Sequence, residues 1–170
     1  MQDKTTSSNG DVSAQTPKGP EGNNMHVPRG FYKIYSSLSY PNWLVDMSLS
    51  GGDEHNVKLF QDNDEPESRW EIYGEDNIYK YSIRNARELR LLLTHTSHGS
   101  VVAYPEGPGI SERYRWSFRD AGNGFVYIVA SNSGDAVLDV KGSYTANNAD
   151  IITWEYAGTA NQKFRLVKLD

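Results

Sequence analysis

Cysteine is missing from the chain altogether, so no disulfide framework, thiolate metal site or cysteine nucleophile is available, and the redox compartment is left open. Positive charge is scarce too: 17 Lys and Arg stand against 22 Asp and Glu, a formal net charge of -5. A surface built to grip phosphates needs the opposite balance, so nucleic acid is not expected as a partner. No apolar run approaches the roughly 20 residues of a membrane-spanning helix. Met1-Gln2-Asp3-Lys4 opens no apolar stretch of the signal-peptide kind. The expectation is a chain with no membrane span, cytoplasmic or secreted with its signal removed. A sustained 3.6-residue periodicity is also lacking, and with it any case for a helical bundle. Neither G-x-S-x-G, H-E-x-x-H nor a phosphate loop occurs, so the reading is a protein that is not an enzyme and takes no cofactor. His95 and His98 flank a turn without a third ligand, and Asp62-Asn63-Asp64-Glu65 lacks the glycine and distal glutamate of a calcium loop. Exposed turn histidines and a solvated charge run are expected there, with no metal bound.

What the sequence does contain changes sharply near residue 29. From Met1 to Pro28 it is Ser, Thr, Asn, Gly, Gln, Pro and Lys, with Val12, Met25 and Val27 the only sizeable apolar residues after the first. Such a stretch cannot repay its ordering entropy by burial, so residues 1–28 are expected to be a disordered, dispensable tail. Beyond it come twelve short aromatic and β-branched runs, from FYKIYS to KFRLV, separated by Gly, Asn, Asp and Pro clusters. Twelve such runs fit twelve strands.

A three-fold repeat organises these runs. Phe31, Ile78 and Phe125 each stand where a strand opens, 47 residues apart. Trp70, Trp116 and Phe164 sit in unit-closing strands, and Phe60, Tyr104 and Trp154 in the third strand of each unit. Residues 29–170 thus divide into four-stranded units of about 30–75, 76–121 and 122–170. The fold class expected is all-β: a β-trefoil with pseudo-three-fold symmetry, which hides its strand edges by closure. Trp70, Trp116 and Phe164 are assigned to the core.

The third unit runs Val137-Leu138-Asp139-Val140, Gly142-Ser143-Tyr144-Thr145-Ala146-Asn147, Ile151-Ile152-Thr153-Trp154-Glu155-Tyr156 and Asn161-Gln162-Lys163-Phe164. It resembles the ricin-B lectin family, whose repeats combine an L-D-V strand, a Gly-Ser-Asn loop, an aromatic strand and a closing N-Q-x-W. The cysteine-free fungal members are the ones it looks most like. Ser68 and Tyr114 depart from that motif where it has glutamine, and Phe164 where it has tryptophan.

The resemblance implies a carbohydrate site of Asp139, Trp154, Tyr156, Asn161 and Gln162, and the residue types suit sugar chemistry. A carboxylate accepts from two ring hydroxyls, an aromatic face covers the C–H side of a pyranose, and an amide both donates and accepts. Tyr156, two residues on from Trp154, is expected on the same strand face. Gln162 is expected to brace the strand, acting on the sugar only indirectly. Taken singly, Asp139 is a half-exposed strand polar, Trp154 a packing aromatic and Asn161 a turn residue; it is their joint spacing that points to a site. A second, weaker candidate comprises Asp46, Gly52, Phe60 and Glu67, with Glu67 able only to accept where Asn161 could donate. In the second unit Leu89-Arg90-Leu91 stands where L-D-V is expected, so a cation replaces the acceptor and that site is read as lost. Partners implied are glycans of glycoproteins or glycolipids, of galactose or N-acetylgalactosamine type by resemblance alone. A homodimer or the first-unit site would supply the avidity that shallow sites need. The alternative function is a trefoil protease inhibitor acting through the exposed loop Pro105–Arg113.

Overall fold

The computed structural model describes residues 19–20, 22–109, 111–131 and 136–170. Twelve strands are present: β1 (Gly30–Ser36), β2 (Trp43–Gly51), β3 (His55–Gln61), β4 (Trp70–Glu75), β5 (Lys80–Asn85), β6 (Leu91–His95), β7 (Val101–Pro105), β8 (Trp116–Gly122), β9 (Phe125–Ala130), β10 (Ala136–Val140), β11 (Ile151–Glu155) and β12 (Phe164–Lys168). Six of them close a ring in which β1 pairs β4, β4 pairs β5, β5 pairs β8, β8 pairs β9, β9 pairs β12 and β12 returns to β1. The other six form the hairpins β2–β3, β6–β7 and β10–β11. A closed antiparallel ring capped by three hairpins is the β-trefoil architecture.

The register shows which residues are equivalent. Tyr32 faces Trp70, Tyr81 faces Trp116 and Val126 faces Phe164 across the ring. The first-named residues of these pairs lie 49 and 45 apart in sequence, so the even 47-residue spacing of Phe31, Ile78 and Phe125 is a coincidence of loop lengths. Ile78 lies in the β4–β5 turn and is half exposed; Lys80 occupies the true equivalent of Phe31. Trp70, Trp116 and Phe164 are fully buried, as expected. Each indole also has a polar handle to satisfy: Trp70 Nε1 donates to Val45 O at 2.8 Å and Trp116 Nε1 to Leu93 O at 2.9 Å. Ile34, Ile83 and Ile128, completely buried on the equivalent ring strands, fill the space beside them.

The expected tail does not extend to residue 28. Residues 1–18 and 21 lie outside the described part, but residues 22–28 dock on the barrel. Met25 N donates to Phe118 O at 2.9 Å, and Asp120 N donates to Asn23 O at 3.0 Å, adding a short backbone ladder to β8. Val27 is buried in the main core, and its amide donates to the Tyr81 hydroxyl at 3.2 Å. Polar composition hid this because backbone pairing demands no apolar side chain and a single valine suffices as anchor.

Candidate functional site

The third-unit residues converge on a hollow of about 340 Å³. β10 carries Asp139, which is only 4% exposed and is held from two sides. Gln162 Nε2 donates to Oδ2 at 2.9 Å and Asn161 Nδ2 to Oδ1 at 3.2 Å. The single 3₁₀ turn Ala160–Gln162 places both amides there, just before Phe164 enters the core. The rest of the Gln162 amide is tied to backbone: Nε2 also donates to Glu155 O at 2.9 Å, and Oε1 accepts from the amides of Ala157 and Gly158. Asn161 is engaged too, donating to Val140 O at 3.1 Å and accepting from the Thr159 hydroxyl at 2.5 Å. Each Asp139 oxygen therefore has one donor and a lone pair to spare. Burial pushes the Asp139 carboxyl above the ordinary 3.8, and the two amide donors only partly oppose this.

Trp154 stands on β11, 58% exposed along the hollow's wall. Lys141, Gly142, Ile152, Ala157 and Thr159 complete it. Gly142 has φ +62°, a conformation that glycine adopts without the Cβ penalty, and an added Cβ would meet the Tyr144 ring at 3.2 Å. Tyr156 is not brought into this hollow. The strand ends at Glu155, so the expected alternation lapses, and Tyr156 packs edge-on to Tyr127 with ring centres 5.2 Å apart.

The first unit repeats the plan with changed chemistry. Asp46 on β2 is buried, and Ser68, in the place of Gln162, donates to its Oδ2 at 2.6 Å. Glu67, in the place of Asn161, is also buried and pairs with Arg87 at 3.8 Å. Phe60 lies across a hollow of about 450 Å³ from them, but Lys58 Nζ sits 4.7 Å from its ring centre and 3.9 Å from Asp46. Burial raises the Asp46 carboxyl, Ser68 and Lys58 lower it, and Glu67 adds to the rise. Gly52 is not part of the hollow; its carbonyl faces His55 Nε2 at 3.1 Å within the β2–β3 turn.

In the second unit the register corrects the alignment. Leu93, like Val45, supplies the carbonyl for the core indole, so the following residue, Thr94, takes the place of Asp46 and Asp139. Arg90 precedes β6 and is bound to Glu88 and, at 3.3 Å, to Asp53. The acidic acceptor is gone, but a neutral threonine replaces it, not a cation. Thr94 Oγ1 is turned onto Leu92 O at 2.8 Å. The two histidines also separate: His98 is exposed in the turn, whereas His95 is buried and edge-on to Trp116. Nor is the acidic stretch merely solvated, since Asp62 and Asp64 hold Lys33 at 3.1 Å, Asp62 takes the Tyr35 hydroxyl, and Asp64 takes Arg69. In the loop from Pro105 to Arg113, Glu106 accepts from the Tyr114 hydroxyl at 3.2 Å, and Ile110 lies outside the described residues.

A family model described as a ricin-type β-trefoil lectin domain-like domain matches residues 66–154 and 112–170. Among solved structures, the chain is similar to the designed three-fold symmetric protein ThreeFoil at TM-score 0.73 and 26% identity, over 82% of this chain and 99% of that one. It is similar to the agglutinin of the fungus Rhizoctonia solani at TM-score 0.71 and 17% identity, over 85% and 99%. The earthworm R-type lectin C-half, solved in complex with GalNAc, matches at TM-score 0.63 and 22% identity, over 84% and 100%. No curated protein is significantly similar in sequence.

Proposed function

The chain belongs to the ricin-type β-trefoil lectin domain-like family, and from that premise we propose that it binds glycans without turning them over, through the third-unit hollow. One observation carries this reading: a buried carboxylate, Asp139, fixed by two amides with lone pairs still open, lies across a small hollow from a half-exposed indole. Asp139 accepts from adjacent sugar hydroxyls, Trp154 covers the C–H face, and Asn161 and Gln162 hold the acceptor in place. The sugar favoured is of galactose or N-acetylgalactosamine type, in keeping with the GalNAc bound by the earthworm lectin. The first-unit hollow is a weaker sugar site, since Lys58 already occupies the space over the Phe60 ring.

Retention of the full chain on a galactose resin, followed by a glycan array, tests the proposal. Binding that is lost in both Asp139→Ala and Trp154→Ala variants, with the circular dichroism unchanged, is the expected result. Wild-type binding by an Asp139→Ala variant would overturn the site.

A further inference from the structure

Trp154 borders two hollows. One is the Asp139 hollow; the other, of about 350 Å³, lies toward Asn56 on β3 and the β6–β7 turn with His98 and Ser100. Lys141 and Ile152 are shared by both as well. The second hollow is assembled from all three units, and its outer wall is strapped down. Thr153 N donates to Gly99 O at 2.8 Å, and Ser100 bridges Ile152 across the gap between β7 and β11. The turn is braced internally as well, by the Thr96–Ser100 hydroxyl pair at 2.7 Å. His98 and Asn56 are exposed, so their polar atoms face water and are available to hydroxyls at little desolvation cost.

Resting on the reading of the Asp139 hollow as a sugar site, we propose that this neighbouring hollow is a second subsite, so that the ligand is an oligosaccharide of at least two residues straddling Trp154. The residue bound by Asp139 takes one side of the indole, and the next residue in the chain takes the other, against His98, Ser100 and Asn56. Because the β6–β7 turn is already pinned to β11, filling the subsite orders little new structure, and the added contacts appear as affinity.

Calorimetry on the full chain tests this with galactose and N-acetylgalactosamine, against the di- and trisaccharides that carry each at the non-reducing end. The best oligosaccharide is expected to bind about tenfold more tightly than its terminal monosaccharide. A His98→Ala/Asn56→Ala double variant, altered only at exposed positions, is expected to lose that gain while binding the monosaccharide as wild type does. No gain with length, or a gain that survives the double variant, would overturn the subsite while leaving the Asp139 site standing. Absence of binding by wild type to every sugar would overturn both.

Discussion

Asp139 pays for its position as an acceptor by being taken out of water, and two consequences can be measured. Asp139→Ala removes the partner of two amide protons, so besides abolishing glycan binding it is expected to cost about 1–3 kcal/mol of stability. Chemical denaturation of the variant checks the second effect, which a freely exposed strand aspartate would not show. The raised carboxyl predicts a pH dependence whose sign is fixed. Protonation removes an acceptor position, so affinity falls as the solution is acidified, with its midpoint above 3.8. The folded chain holds this proton more tightly than the unfolded one, so Asp139 itself favours the fold as pH drops through that window. Binding isotherms at a series of pH values, with the melting temperature followed in parallel, separate loss of affinity from unfolding. A midpoint at or below 3.8 would contradict the burial argument.

At the scale of the element, the docked segment 22–28 acts as an extra partial strand. A chain beginning at Arg29 loses the Met25–Phe118 and Asn23–Asp120 bonds and the Val27 anchor. Burial of one valine is worth about 1.5–3 kcal/mol, so this truncation is expected to melt several degrees below one beginning at Gly19, as a thermal scan of the two would show. Equal melting temperatures would mean that the segment contributes nothing. The segment also marks where the sequence ceased to be legible. Strand positions and the closing aromatics Trp70, Trp116 and Phe164 were visible because burial imprints residue type, and the third-strand aromatics Phe60, Tyr104 and Trp154, which stay partly or largely exposed, because they recur at one place in each unit. Three things were not visible: pairing by backbone alone at Asn23 and Met25, the two-residue change in loop length that displaced Ile78, and the equivalence of Thr94, rather than Arg90, to Asp139. Each depends on register, and register is set by partners far away in sequence. Tyr156 was misplaced for a related reason, since alternation holds only while the strand lasts.

For the whole molecule, unequal units imply unequal valence. Among the described residues only the third unit combines a held carboxylate with an open aromatic; the first has Lys58 over Phe60, and the second has Thr94 in place of the acid. Titration with a small monovalent sugar is expected to return one stronger class of site per chain and at most one weaker. Three equal classes would sink the argument from residue chemistry. A millimolar site corresponds to only about 4 kcal/mol, so firm attachment to a glycan-coated surface needs several sites engaged together. The ring that carries these sites is closed by β1 and β12. Tyr32 pairs with Lys168 at one end of this seam and Ser36 with Phe164 at the other, from which β2 departs. Gly30 and Lys168 therefore lie close together, at the end of the barrel away from the first hairpin, where residues 22–28 continue from Gly30 onto β8. The first and last strands of the ring are thus held by one antiparallel seam, and loosening that seam would open the barrel between them.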